Sequence, residues 1–264
     1  MRRPFVVFFF LIAGIVSLAT TKVYAQGRGR GAAQPPQTAK AAAPIDITGY
    51  WVSLITEDWR YRMVTPPKGD YVGVPLNAAG RKAADAWDPA KDEADGDQCK
   101  SYGAANIMRV PERIHITWQD DQTLKLETDA GMQTRLFYFG APQSQGGDWQ
   151  GVSVASWDYL PASIVSTDGA RASLNTLDRR GGSLKVVTTK FKAGYLRKNG
   201  VPYSANATLT EYFDRSVEPN GDTLLVITRV VEDPMYLTAP FLLSEHFKKQ
   251  ADASGWNPTP CTAK

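Results

Sequence analysis

The fold is decided by residues 181–241, which contain three runs rich in β-branched and aromatic side chains: GGSLKVVTTKF (181–191), NATLTEYFDR (206–215) and GDTLLVITRVVEDPMYLTAPF (221–241). Gly, Pro, Asn and Asp separate these runs. Short apolar runs bounded by such turn-forming residues are typical of β-strands. The stretch therefore predicts three strands in succession.

A second set of strands precedes this stretch. The segments ERIHITW (112–118), TLKLETD (123–129) and GMQTRLFYF (131–139) are joined by turn-forming residues at hairpin spacing, and DWQGVSVASWD (148–158) follows a loop rich in Gly and Gln. With an opening strand at residues 50–55, the total is about eight, a number that can close into a barrel. We predict an all-β, antiparallel lipocalin-like barrel of about eight strands, with a two-sheet β-sandwich as the alternative.

Helical sequence is confined to one or two short segments. Asn77 can cap a helix that continues to about Trp87, where Asp88 and Pro89 end it. Gly80 weakens this helix because glycine lowers helix propensity.

The N-terminal residues indicate export. Arg2 and Arg3 precede an uninterrupted apolar run at residues 5–15, and small and polar residues follow it up to Ala25. This order predicts a signal peptide at residues 1–25 and a periplasmic or extracellular protein. A membrane anchor is the alternative, but the apolar run is shorter than the roughly 20 residues that span a bilayer.

The remaining chain is divided by composition. Residues 26–45 have few large apolar side chains and are rich in Gly, Ala, Pro and Gln, so we expect a flexible leader. Residues 46–264 have the size of a single β-barrel domain. The formal charge of +3 is nearly balanced and no basic stripe is interleaved with aromatic residues, which argues against nucleic acid as a partner.

The two cysteines, Cys99 and Cys261, are both in the domain. In an oxidising compartment an isolated pair favours a disulfide. A metal site is the alternative, but neither residue has a neighbouring Cys or His at ligand spacing. We therefore predict a bridge, and the sequence indicates neither a metal nor another cofactor.

Charged residues interrupt apolar strand faces at three positions. Glu211 shares a face with Leu209 and Phe213, Arg135 lies on a similar face of its strand, and so does Arg229. If these faces point into the barrel, Glu211 meets Arg135 or Arg229, since a buried ion needs a partner. The cluster would be either a structural ion pair in a filled barrel or part of a binding site.

The binding interpretation adds an aromatic lining to this cluster. The residues expected there are Trp51, Phe137, Phe139, Trp149 and Tyr203. Such a site would recognise a small, mainly apolar molecule with a polar group. Two alternatives remain open. One is a cofactor-independent lyase, isomerase or hydrolase that uses Glu211 as acid or base, and the other is a structural envelope protein without a cavity.

Several motifs in this order resemble those of a widespread group of secreted bacterial proteins that have no established activity. The group is similar in carrying a GxW start, GHSIGxW and PHS…ERF strands and a VxDPxxYTxPW-type end. The segments that carry the resemblance in this chain are LNAAGRKAADAWDP, IMRVPERIHI, TRLFYFG, WQGVSVASWD, LKVVTT, NGVPYSANATLTEYF and VEDPMYLTAPF. The resemblance covers nearly all of residues 46–261 and implies a lipocalin-like barrel but no reaction.

The chain departs from this pattern at the group's histidines, where it has Val152, Tyr203 and Thr208. A histidine- or metal-based mechanism in relatives could not operate here in the same way. Only His115 and His246 remain. We expect both at the surface, His115 on a strand and His246 in a short helix.

Overall fold

The structure is a computed structural model that describes residues 37–159 and 182–264. The predicted signal peptide (1–25), the first part of the leader (26–36) and a segment inside the domain (160–181) lie outside the described residues. The helices are α1 (Trp59–Arg62), α2 (Ala78–Asp85), α3 (Pro89–Ala94) and two 3₁₀ helices, Gln98–Tyr102 and Ile107–Arg109. The strands are β1 (Gly49–Leu54), β2 (Arg113–Asp120), β3 (Thr123–Thr128), β4 (Thr134–Tyr138), β5 (Val152–Tyr159), β6 (Gly182–Thr189), β7 (Gly194–Arg197), β8 (Val201–Tyr203), β9 (Thr208–Val217), β10 (Thr223–Glu232) and β11 (Phe241–Lys249).

Nine strands form a closed barrel in the order β1-β11-β10-β9-β6-β5-β4-β3-β2, and β7 pairs with β8 in a separate small sheet. The prediction of an all-β barrel is confirmed, and the two-sheet sandwich is not formed. The ninth strand is β11, where we expected a short helix around His246. The alternation of buried Phe241, Glu245 and Phe247 fits a strand with one face inward.

One strand pair departs from the antiparallel pattern. Strands β4 and β5 run parallel and share only two register pairs, Phe137 with Ser153 and Tyr138 with Val154. The start of β5 therefore pairs with the end of β4, and the first residues of β4, 134–136, have no register partner on β5.

The core has two parts. Apolar side chains from the inward strand faces fill the barrel around Trp51, Phe137 and Phe213. A second cluster joins the small β7–β8 sheet and α2 to the end of the barrel. Helix α2 has the predicted cap, because the Asn77 side chain accepts a hydrogen bond from the Gly80 amide. Among the described residues, no helix is long and apolar enough to cross a membrane.

Residues 37–45, which composition assigns to the flexible leader, lie against the barrel. The Trp157 indole donates a hydrogen bond to the Ala39 carbonyl (2.8 Å), and the Tyr159 hydroxyl donates one to the Ala42 carbonyl (3.0 Å). The compact unit accordingly begins at Gln37. The composition of residues 37–45 does not predict this contact, because the hydrogen-bond partners are a tryptophan and a tyrosine side chain of the barrel.

The predicted disulfide between Cys99 and Cys261 is present, with Cα atoms 5.1 Å apart. It fixes the C-terminal segment beside the turn that follows β3. There the Thr259 amide donates to the Asp129 carbonyl (2.9 Å) and the Gly131 amide donates to the Thr259 carbonyl (2.8 Å).

Candidate functional site

Glu211 on β9 and Arg135 on β4 form an ion pair inside the barrel. The guanidinium donates from Nη1 to Oε1 (3.0 Å) and from Nη2 to Oε2 (2.5 Å), and Nη2 also lies 3.3 Å from the Thr188 hydroxyl. Glu211 is 0% exposed and Arg135 is 1% exposed. The strand faces that carry Glu211 and Arg135 are thus buried. Two hydrogen bonds join the carboxylate to the guanidinium, which provides the pairing that buried charges require.

Arg229 on β10 belongs to a second ion pair. Its Nε and Nη2 donate to the carboxylate of Glu245 on β11 at 2.9 and 3.0 Å, and its Nη1 donates to the Ala105 carbonyl at 2.9 Å. Of the two partners that the sequence leaves open for Glu211, the structure has Arg135. Glu245 was missed by the sequence analysis, although it interrupts an apolar strand face in the same way as Glu211.

A pocket of about 160 Å³ lies between the start of β4 and the residues that lead into β5. Its lining residues are Thr134, Arg135, Leu136, Tyr138, Ser144, Asp148, Gln150, Gly151 and Ser153. Two buried polar atoms of this lining, Arg135 Nε and Gln150 Oε1, have no hydrogen-bond partner in the described parts of the chain. The pocket thus lies beside one member of the Arg135–Glu211 ion pair, and two of its lining residues each have a buried polar atom without a partner.

Tyr203 lies close to this region. It is 0% exposed, its ring packs edge-on against Phe191 with centroids 5.6 Å apart, and its hydroxyl has no partner among the described residues. Burial, and then the nearby Asp148 carboxylate, raise the pKa of this hydroxyl, so it stays protonated. The positive charge of Arg135 acts in the opposite direction and lowers the pKa of the Tyr203 hydroxyl, but by less. The hydroxyl is a further unpaired polar group beside the pocket.

The other predicted aromatic residues are in different surroundings. Trp149 is half-buried under the Lys192 ammonium, which lies 4.2 Å from its ring centroid. Trp51 and Phe137 are buried in the apolar core of the barrel. Phe139 packs against Trp157 with centroids 5.1 Å apart. The structure therefore groups Arg135 with Glu211, with the Phe137 ring, whose centroid lies 4.9 Å from Arg135 Cζ, and, nearby, with Tyr203. Trp51 and Phe139 contribute to core packing.

Glu112, just before β2, is a buried carboxyl that the sequence analysis did not single out. It is 5% exposed, and neither of its side-chain oxygens has a hydrogen-bond partner within the described residues. Burial, and then repulsion by the Asp129 carboxylate, raise the pKa of Glu112 well above its usual range. Glu112 borders a depression of about 330 Å³ together with Ser53, Arg113 and Asp129.

The two histidines are engaged at the barrel surface. The His115 ring stacks on Tyr50 with centroids 3.9 Å apart, and His246 Nδ1 lies 3.0 Å from the Glu57 carboxylate. In the part of the chain that the structure describes, no group of three or more His, Cys, Asp or Glu residues is arranged to hold a metal ion.

The chain was compared with family models, with curated proteins and with solved structures. No family model matches it, and neither a curated protein nor a solved structure does. The resemblance drawn from its motifs remains a prediction, and the site is interpreted from its own residues.

Proposed function

We propose that this protein is an exported β-barrel that binds a small neutral molecule with an oxygen acceptor and an apolar body in the pocket between β4 and β5. The proposal rests on Arg135, a residue that borders this pocket and whose buried Nε–H has no hydrogen-bond partner among the described residues. A buried donor without a partner costs about 1–3 kcal/mol. A ligand oxygen that accepts a hydrogen bond from this donor would recover that free energy on binding.

The charges around the pocket favour a neutral ligand over an anion. Glu211 already balances the charge of Arg135 through two hydrogen bonds. The Asp148 carboxylate also borders the pocket and would repel an anion. Leu136 and Tyr138 supply apolar lining for the rest of the molecule. A ketone or alcohol with a short apolar body meets these conditions.

The volume limits the size of the ligand. The pocket holds about 160 Å³. Pockets for drug-sized molecules are larger, at about 300 Å³ or more. The ligand is therefore a small molecule of the size of a six-membered ring ketone.

Export is part of the proposal. The basic, apolar and small-residue order of residues 1–25 supports a signal peptide. The Cys99–Cys261 disulfide supports an oxidising compartment, since such bridges persist outside the cytosol.

The binding proposal is tested by calorimetric titration with cyclohexanone, cyclohexanol and, as the apolar control, methylcyclohexane. We expect the ketone to bind with a dissociation constant on the order of 1 mM and the hydrocarbon to bind more weakly. Leu136→Trp fills the pocket and should weaken ketone binding about tenfold or more. Leu242→Trp is the matched control, because Leu242 is 65% exposed on β11.

Equal binding of ketone and hydrocarbon, or unchanged binding by Leu136→Trp, would contradict the proposed site. If none of the three probes binds to the wild-type protein, this pocket is not a binding site for a small neutral molecule.

Glu112 favours a second candidate function, a cofactor-independent enzyme. Glu211 is engaged by Arg135 at both oxygens, whereas the Glu112 carboxyl is unpaired, has a raised pKa and borders the depression of about 330 Å³. Such a group suits a general acid. A panel of aryl esters tests this candidate: wild-type turnover should be lost in Glu112→Gln and kept in Glu232→Gln, an exposed control. Equal turnover by wild type and Glu112→Gln would exclude Glu112 from that role.

A further inference from the structure

We propose that a second, separate pocket binds one monatomic anion of the size of chloride. This basic pocket is bordered by Arg62, Arg109, Arg197 and Lys198, together with Tyr61, Val64, Thr65, Asn106, Val110 and Pro111. It lies where α1, the 3₁₀ helix Ile107–Arg109 and β7 meet.

The three arginines are buried and carry more positive charge than their partners balance. Arg62, Arg109 and Arg197 are 6%, 4% and 3% exposed. Arg62 is paired with Glu57. Asp58 pairs with both of the others, and its carboxylate lies 2.5 Å from Arg109 Nη2 and 3.8 Å from Arg197 Nη2.

Lys198 adds to this excess, because no carboxylate among the described residues pairs with its ammonium, which lies 5.2 Å from the Tyr102 ring centroid. Its Nζ donates to the Tyr102 hydroxyl (3.1 Å) and to the Thr262 hydroxyl (3.4 Å). Four cationic side chains thus border the pocket, and two carboxylates, Glu57 and Asp58, pair with them. An anion in the pocket would reduce this imbalance.

A free donor is available in the pocket wall. Arg197 donates from Nη1 to the Val72 carbonyl (2.8 Å), but its buried Nε has no partner within the described residues. Burial, and then the like charge of Arg109, lower the pKa of Arg197. An anion held beside Arg109 and Arg197 would reduce the repulsion between these two arginines.

The space selects the kind of anion. About 20 Å³ is available, which is room for about one water-sized particle. Chloride or bromide fits this space, whereas sulfate, phosphate and carboxylates have several non-hydrogen atoms and do not. Water is the competing occupant, and it would not compensate the excess positive charge.

Thermal unfolding of the full chain in sodium chloride and in sodium gluconate at equal ionic strength tests the proposal. We expect a saturable rise in Tm of about 3 °C with chloride at concentrations well above its dissociation constant, a similar rise with bromide, and none with gluconate. Lys198→Met should reduce this chloride-specific rise, and Lys198 is only half-buried, so the variant should fold. Arg215→Met, an exposed position on β9, should keep the full rise.

A crystal soaked in bromide provides the direct readout. The proposal predicts an anomalous peak between Arg109 and Arg197. Equal Tm values in chloride and gluconate together with no peak at this position would overturn it and leave a water molecule as the occupant. If Lys198→Met responds to chloride like the wild type and the peak lies elsewhere, the anion site is not this pocket.

Discussion

Arg229 and Glu211 lie directly opposite each other in the register of β9 and β10, yet each forms its ion pair with a different residue. Glu211 binds Arg135 across the barrel, and Arg229 binds Glu245 on the adjacent β11. The interior therefore contains two matched pairs at neighbouring positions. Both pairs are buried. Removal of one member of a pair would therefore leave the charge of the other member uncompensated.

The Arg135–Glu211 pair predicts a specific pattern of stability changes. Glu211→Leu leaves Arg135 buried without its carboxylate and should lower the free energy of unfolding by about 3–5 kcal/mol. The double variant Arg135→Met/Glu211→Leu removes both charges and should recover most of that loss. Urea unfolding measures both effects.

Glu232→Leu is the control for this prediction, because Glu232 is exposed at the end of β10. Its free energy of unfolding should change by less than about 0.5 kcal/mol. A Glu211→Leu variant as stable as the wild type would show that the pair is not formed.

The disulfide predicts a separate stability effect. It joins residues 162 positions apart, so its loss frees a long loop in the unfolded chain. Replacing both cysteines, Cys99→Ser/Cys261→Ser, should lower the free energy of unfolding by about 2–5 kcal/mol. Hydrogen exchange should also become faster at Gly131, whose amide donates to the Thr259 carbonyl of the attached tail. Unchanged exchange at Gly131 would mean that the tail is held without the bridge.

The raised pKa of Glu112 predicts a pH dependence with a defined sign. The unfolded chain loses this proton near the usual pKa of about 4.3, and the folded protein keeps it to a higher pH. Stability contributed by Glu112 is therefore complete below the unfolded pKa and is lost as the pH rises through the folded pKa. The side chain of Glu112→Gln stays uncharged at every pH. The Tm of this variant minus that of the wild type should therefore increase by about 2–4 °C from pH 4.5 to pH 8.

Calorimetric scans at several pH values measure this difference. Glu232→Gln, at an exposed position, should show a Tm difference from the wild type that does not change with pH. A Glu112→Gln profile parallel to that of the wild type would contradict a raised pKa at Glu112.

Much of the barrel could be predicted because its strands alternate. The two-residue period of a strand places Arg135, Glu211 and Arg229 on apolar strand faces, and all three side chains are buried in the structure. The same period at Glu245 was overlooked, because the segment around His246 was expected to be a short helix. The rule that identified Glu211 would have found Glu245 and with it the ninth strand.

Other features depend on distant parts of the chain. Glu112 is an exception, because the two-residue period of the predicted strand 112–118 places it on the same face as Ile114 and Ile116, and the rule that identified Glu211 would have found it. The parallel pairing of β4 with β5 is not encoded near either strand, since the loop between them has the Gly-rich composition of an ordinary connection. The pocket at Arg135 results from that pairing and could not be located from the sequence.

Binding of a small neutral molecule beside Arg135 can be followed at single residues by an NMR titration of the isotope-labelled protein with cyclohexanone. The groups to follow are the Arg135 Nε–H and the backbone amides of Gln150 and Gly151, since all three residues border the pocket. We predict that the largest, saturable shift changes occur at these three groups in the wild type and disappear in Leu136→Trp. Saturable changes confined to residues elsewhere in the barrel, or no saturable changes at these groups, would contradict binding at this pocket.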